Sequence, residues 1–165
     1  MKKLGEIVIL PTTGYKESCD GKCVSSCKAY WIEVDSHCYL WSEIQMSWVE
    51  AETACREQGG HLASINSEAI NDKIWDETKT NHTEHTSMWI GGTDQEEEGV
   101  WKWTDCSPWD FEAWMEETAG NQPEKQDCLE FFRDGGIWGD DDCTMRNYFL
   151  CSQKLCPEKG INFQI

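Results

Sequence analysis

Ten cysteines in a chain of 165 residues constrain the fold more than any other feature of this sequence. They make up about 6% of the residues, fewer than in a pure disulfide scaffold but more than in an ordinary cytosolic protein. We therefore expect a secreted, extracellular protein stabilised by disulfides. This expectation rests on the cysteines alone. The basic start Met1-Lys2-Lys3 is followed by only four consecutive apolar residues, 7–10, whereas a signal peptide has roughly 7–15.

Charge and hydropathy exclude several classes of partner. The chain has 14 Lys and Arg against 31 Asp and Glu, which gives a net charge of −17. Phosphate groups would be repelled by such a chain, so we expect no nucleic-acid partner. No apolar run approaches about 18 residues, so we expect no transmembrane segment. Ten tryptophans and a hydrophobic content of 39% provide for a packed core.

The chain divides by composition into one domain with two short flanks. Residues 1–26 are expected to be an N-terminal leader or extension with extra cysteines, residues 27–154 the domain, and residues 155–165 a C-terminal tail. Within the domain, Ser47-Trp48-Val49-Glu50 is a capping box that predicts a helix ending at Gly59-Gly60. A second helix is predicted from about Asn66-Ser67 to about Thr78, with Ile70 and Ile74 on one face.

After residue 85 the pattern changes to short β segments. The predicted strands are Met88–Ile90, Val100–Trp103, Cys128–Phe131 and Tyr148–Cys151. Between Asp105 and Asp127 lies a long stretch without periodicity, rich in Trp, Pro and acids, of the kind that is usually functional. Helices followed by strands and one long loop indicate an α+β fold.

An ordered set of residues spread from Cys27 to Cys151 resembles the C-type lectin-like domain family. The matches, in chain order, are Cys38-Tyr39; Trp48, Ala51 and Ala54-Cys55; Gly59-Gly60-His61-Leu62-Ala63-Ser64-Ile65; Trp89-Ile90-Gly91-Gly92; Trp101-Lys102-Trp103; Trp114; Gln122-Pro123-Glu124; Cys128; Trp138-Gly139-Asp140; Cys143; and Cys151. The resemblance implies two helices with small antiparallel sheets and a long loop, stabilised by disulfides.

The resemblance also implies a disulfide pattern. It pairs Cys27 with Cys38, Cys55 with Cys151, and Cys128 with Cys143. Four cysteines are extra to the family pattern: Cys19, Cys23, Cys106 and Cys156. Because the chain ends lie close together in this fold, Cys156 is expected to meet Cys19 or Cys23. Cys106 is left with two alternatives, an interchain bridge that gives a disulfide-linked homodimer, or an intrachain bridge to the remaining N-terminal cysteine. A metal site on Cys19, Cys23 and Cys27 is disfavoured, because Cys27 belongs to the hairpin disulfide.

In this family the main calcium site lies in the long loop, where two ligands flank a proline, and the sugar hydroxyls bind the calcium directly. Here the order Gln122-Pro123-Glu124 resembles the galactose-type Gln-Pro-Asp. The resemblance implies Ca²⁺ as cofactor and sugar binding by these two residues together with Gln126 and Asp140, with Asp141 as a further metal ligand. The chain departs from the pattern at Gln126, where an acid is expected, and at Gly139, where an Asn is expected. These departures predict weak calcium binding.

An auxiliary calcium site of some relatives matches Asp94, Glu98 and Asp127, but its fourth position carries Lys125. We expect that site to be absent, with residues 96–98 forming a solvated acidic turn. Asn81-His82-Thr83 is an N-glycosylation sequon. His82 and His85 lie in a polar stretch and are expected at the surface. Trp109 and Trp138 are candidates to stack on a sugar, although Trp138 matches a framework position.

The sequence favours a carbohydrate-binding protein, specifically a Ca²⁺-dependent lectin of galactose type. The first alternative is a calcium-independent lectin-like module that binds a protein through a decayed site. The second is an ice-binding, antifreeze-like protein. An enzyme is not expected, because nothing positions acid pairs such as Asp140-Asp141 as a glycosidase dyad.

Overall fold

A computed structural model describes Cys19, residues 22–116 and residues 126–158. Two helices lie in the first half of the chain, and most of the strand residues follow them, which confirms the α+β class. The helices are α1 (Trp48–Glu57) and α2 (Glu68–Asn81). The strands are β1 (Ile32–Val34), β2 (His37–Trp41), β3 (His61–Leu62), β4 (Ser87–Thr93), β5 (Lys102–Trp103), β6 (Cys128–Phe132), β7 (Trp138–Asp141) and β8 (Tyr148–Lys154).

Helix α1 begins and ends where the sequence predicts. The Ser47 Oγ accepts from the Glu50 backbone N–H, and the Glu50 carboxylate accepts from the Ser47 backbone N–H at 3.0 Å, so the capping box is complete. The helix stops before Gly59, whose φ of +89° favours glycine. Its inner face is fixed by the Trp48 indole, which is fully buried and donates to the Ile90 carbonyl oxygen at 2.9 Å.

Helix α2 begins after Ser67, as predicted, but continues past Thr78 to Asn81. Thr78 is buried in the helix rather than at its end, because its hydroxyl has two partners. It donates to the Ile74 carbonyl oxygen at 2.7 Å and accepts from the Trp41 indole N–H at 2.9 Å. Thr78, which the sequence suggests as the helix end, is therefore a core residue whose hydroxyl is fully hydrogen-bonded.

The strands pair in the order β1-β2-β8-β4-β6-β7, with β3 on β8 and β5 on β4. The prediction of small antiparallel sheets is incomplete, because β4 and β8 pair in parallel and join the two antiparallel groups into one mixed sheet. The strand predicted from Val100 is also shorter. Val100 closes a turn by donating to the Glu97 carbonyl oxygen, so pairing with β4 begins only at Lys102.

All ten cysteines are paired within the chain. Three pairs are those that the resemblance implies: Cys27–Cys38, Cys55–Cys151 and Cys128–Cys143. The extra cysteines form Cys19–Cys106 and Cys23–Cys156. The interchain alternative for Cys106 is therefore wrong, because its sulfur already bridges to the N-terminal extension. A disulfide-linked homodimer has no free cysteine from which to form.

The described parts of the extension and the tail lie against each other. The Val24 backbone N–H donates to the Lys154 carbonyl oxygen at 2.9 Å, and the Cys156 N–H donates to the Val24 carbonyl oxygen at 2.8 Å. The Cys23–Cys156 disulfide lies beside this pairing. The domain boundaries at 27 and 154 stay predictions. No helix in the described ranges has both the length and the apolar character needed to span a membrane.

Candidate functional site

The ends of three strands form an acidic edge. Asp94 follows β4, Asp127 precedes β6, and Asp140 and Asp141 end β7. The register places Cys128 beside Thr93 and Asp141, so these ends adjoin one another across the sheet. The Asp94 backbone N–H donates to the Asp127 carbonyl oxygen at 3.3 Å. The edge is held by the Cys128–Cys143 disulfide.

Two carboxylate oxygens at this acidic edge are buried without a hydrogen-bond partner, Asp94 Oδ1 and Asp140 Oδ1. The other oxygen of Asp94 accepts from the Gly99 backbone N–H at 2.9 Å. Burial raises the pKa of Asp94, and the Asp127 carboxylate raises it further. Burial also raises the pKa of Asp140, with added repulsion from Asp94, Asp141 and Asp127. Carboxylates that repel one another and have oxygens without partners are suited to bind a divalent cation that prefers oxygen ligands, such as Ca²⁺.

The neighbouring acids of the 140–142 run differ in their surroundings. The Asp142 carboxylate accepts from the Thr144 backbone N–H at 2.9 Å and from the Thr144 hydroxyl at 2.7 Å, so it caps a turn. One oxygen of Asp141 accepts from the Asp142 backbone N–H at 2.7 Å. Asp140 therefore has the acid oxygen best suited to a metal in this run.

Gly139 carries no side chain where the family pattern has an Asn ligand, and the structure gives the physical reason. A Cβ at this position would lie 2.8 Å from Cε2 of Phe132. A side chain at position 139 would therefore require the Phe132 ring to shift. Weak calcium binding stays a prediction.

The predicted sugar-binding residues are only partly placed by the structure. Gln122 and Glu124 lie outside the described residues, as does Lys125. Gln126 is half-buried immediately before Asp127, next to the acidic edge. Of the predicted auxiliary set, the structure brings Asp94 and Asp127 together. Glu98 lies exposed on the turn that Asp94 closes with Gly99.

Sequence reasoning missed Glu130, a buried carboxyl on β6. It accepts from the Asn147 side-chain amide at 3.0 Å and lies opposite Gly139 in the strand register. Burial raises the pKa of Glu130 to about 7, with further repulsion from Asp141 and Asp140. In the sequence it is one acid in an alternating strand pattern, so no signal marks it as buried.

The long loop begins with an aromatic cluster. Trp109 packs against Trp103 at a ring-centroid distance of 4.5 Å and against Trp138 at 6.0 Å. Trp138 is fully buried, and its indole donates to the Asn71 side-chain oxygen at 2.9 Å. Both tryptophans suggested as sugar-stacking candidates are therefore packed in this cluster. They anchor the start of the loop and of β7.

The prediction that His82 and His85 lie at the surface is wrong for His85 and incomplete for His82. His85 is fully buried and His82 is half-buried. Their rings pack between Trp41 and Tyr148. The polar sequence around residue 83 gives no sign of these two aromatic contacts. Asn81, the predicted glycosylation residue, is exposed at the end of α2, where its amide donates to Glu77.

Comparison with known proteins decides the family. The family model of the lectin C-type domain matches residues 44–153. A galactose-specific lectin, nattectin from Thalassophryne nattereri, is 31% identical over 134 residues, which cover 81% of this chain and 84% of that protein. The chain belongs to the C-type lectin family. The lectins of this family bind carbohydrate and are not enzymes.

Solved structures of C-type lectin domains superpose on this one. The carbohydrate-recognition domain of the mouse scavenger receptor C-type lectin gives a TM-score of 0.67 at 30% identity, covering 79% of this chain and 98% of that domain. A calcium-independent type II antifreeze protein gives a TM-score of 0.68 at 28% identity, covering 79% of this chain and 96% of that protein. The C-type lectin fold therefore occurs here in a form shared by sugar-binding and ice-binding neighbours.

Proposed function

We propose that this chain is a secreted, Ca²⁺-dependent lectin of galactose type. The observation that carries the proposal is the buried, unpartnered Oδ1 of Asp140, a predicted metal ligand at the acidic edge. Burying a carboxylate oxygen without a partner is costly, so a cation at this edge explains its placement. Full pairing of ten cysteines supports an oxidising, extracellular location.

The residues that would hold the metal are Gln122, Glu124, Gln126, Asp140 and Asp141. Bound Ca²⁺ would supply a positive centre that coordinates two vicinal sugar hydroxyls. The protein side chains then select the sugar. Gln122 has an amide that can donate, whereas Glu124 and Asp140 only accept when ionised. The order amide first, acid second is that of the galactose-type motif, and the galactose specificity named for nattectin supports this choice.

Retention on immobilised galactose tests the proposal. Wild-type protein is expected to bind the resin with millimolar Ca²⁺ and to elute with a chelator. Glu124→Ala should abolish retention. Asp110→Ala is the matched control, because it removes an exposed carboxylate earlier in the same loop. No retention on any sugar resin in the presence of Ca²⁺ would refute the proposal.

The alternative is a calcium-independent, lectin-like module that binds a protein. It is favoured by Gly139, which supplies no amide ligand and whose Cβ would lie 2.8 Å from the Phe132 ring. A module of this kind would keep its ligand in chelator, whereas a Ca²⁺-dependent lectin must release it. Ice binding is a third candidate, supported by the antifreeze neighbour. A thermal-hysteresis measurement tests it, and no hysteresis would remove it.

A further inference from the structure

The turn that follows α2 brings two histidines together. His82 caps the helix, and its backbone N–H donates to the Thr78 carbonyl oxygen at 3.1 Å. The His85 N–H donates to the His82 carbonyl oxygen at 3.0 Å, which closes a four-residue turn. The two imidazole centroids are 5.3 Å apart with their planes at 26°. Two imidazoles sharing one tetrahedral zinc would have centroids about 5 Å apart, because each nitrogen lies about 2.0–2.1 Å from the metal.

The His85 ring is 0% exposed and packs on Tyr148 at 4.0 Å. Neither ring nitrogen has a partner in hydrogen-bond geometry, and the Glu84 carboxylate lies 3.5 Å from Nε2. A buried polar group without a hydrogen bond calls for an explanation, of which an ion is one.

Glu84 supplies a third ligand atom. Its Oε1 lies 3.5 Å from His85 Nε2, close to the separation of about 3.3 Å expected for two ligands of a tetrahedral zinc. Ligand atoms of His82, Glu84 and His85 all lie within 4.8 Å of one another. Within the described ranges, these residues form the one cluster of three ligating side chains at such short separations. The Glu84 side chain is exposed and can rotate to bring its carboxylate to the same ion as the two histidines.

We propose that His82, Glu84 and His85 bind a first-row transition-metal ion, with Zn²⁺ as the expected occupant. Imidazole ligands favour zinc, copper and nickel over calcium, and two imidazoles with one carboxylate leave a fourth position for water or an external ligand. The site is separate in its residues and in its chemistry from the acidic edge. The bound ion would fix the end of α2 against Trp41 of β2 and Tyr148 of β8.

The test is a calorimetric titration of Zn²⁺ into protein held in excess Ca²⁺ at pH 7.5. We expect one zinc per chain. Glu84→Gln and His82→Asn should each weaken binding about tenfold or more, since even residues supporting a ligand contribute about 10–100-fold. His37→Gln is the control, because it removes a histidine far from α2 in the chain and should leave binding unchanged.

Substituted Co²⁺ gives an independent readout, since a four-coordinate site has a stronger visible absorption than an octahedral ion in solution. Loss of this band in Glu84→Gln, with an unchanged melting temperature of the metal-free variant, would assign the ligand. The proposal is overturned if wild type shows no saturable zinc binding. It is equally overturned if both ligand variants bind zinc as wild type does, or if His37→Gln weakens binding as much as they do.

Discussion

Replacing Glu130 by Gln tests whether a carboxylate buried beside the acidic edge destabilises the protein when it ionises. Glu130 is 7% exposed and lies near Asp140 and Asp141. Its carboxylate accepts from the Asn147 amide at 3.0 Å. Glutamine has the shape of the protonated acid and keeps an oxygen for Asn147. The substitution therefore removes the charge and leaves the packing in place.

The magnitude follows from the shifted pKa. Burial raises the pKa of Glu130 from 4.5 to about 7. The folded state then binds more protons than the unfolded state between these values, so stability is present below pH 4.5 and is lost as the pH rises towards 7. At 1.36 kcal/mol per unit, the loss is about 3 kcal/mol. Glu130→Gln has no carboxyl to ionise and keeps this stability at all pH values. Its free energy of unfolding should therefore exceed that of wild type by about 3 kcal/mol at pH 8 and be close to it at pH 4.

The assay is urea unfolding of both proteins at pH 4 and pH 8 with chelator present and disulfides intact. The quantity compared is the pH dependence of the difference in unfolding free energy between variant and wild type. Glu33→Gln, on the exposed side of β1, controls for loss of one negative charge. Parallel pH dependence of wild type and Glu130→Gln would show that the carboxyl is not under strain and would refute the reasoning.

Three further predictions concern stability and are read from denaturant midpoints. Cys19→Ser combined with Cys106→Ser opens a loop of 87 residues and should lower the free energy of unfolding by up to about 4–5 kcal/mol. An unchanged midpoint would show that this disulfide does not stabilise the protein. Asn71→Ala removes the amide that donates to the Gly136 carbonyl oxygen at 2.8 Å and accepts from a buried indole, so it should lower the free energy of unfolding by about 2–3 kcal/mol. A loss below about 0.5 kcal/mol would contradict this prediction. Gly136→Ala places a methyl 2.9 Å from Trp75 at a φ of +64° and should cost more than about 1 kcal/mol, whereas a neutral effect would contradict the local geometry.

The helices and the framework could be predicted because their signals are local. The capping box at Ser47 fixes the start of α1 without reference to the rest of the chain. The resemblance gave three disulfide pairs because the cysteines lie in register with the family pattern. The partner of Cys106 could not be chosen from sequence, because it depends on where residue 19 lies in space.

The site is predictable only in part, since burial and side-chain placement arise from distant elements. Nothing near His85 in sequence indicates that Tyr148 covers its ring. Glu130 looks like any other acid, yet it is buried beside β7. The absence of an amide at position 139 was visible in the sequence, but the Phe132 ring that fills the space was not. Contacts between residues far apart in the chain carry no local signature.

Calcium binding at the acidic edge is tested by a calorimetric titration of Ca²⁺ into chelator-stripped protein. We expect one site with a dissociation constant of about 10⁻⁴–10⁻³ M and a stabilisation of about 2.7 kcal/mol at a hundredfold excess over that constant. Asp140→Asn should weaken binding at least about tenfold, and Asp110→Asn should leave it unchanged. No saturable heat and no rise in melting temperature with wild type, or equal binding by Asp140→Asn, would show that the acidic edge does not bind calcium through Asp140.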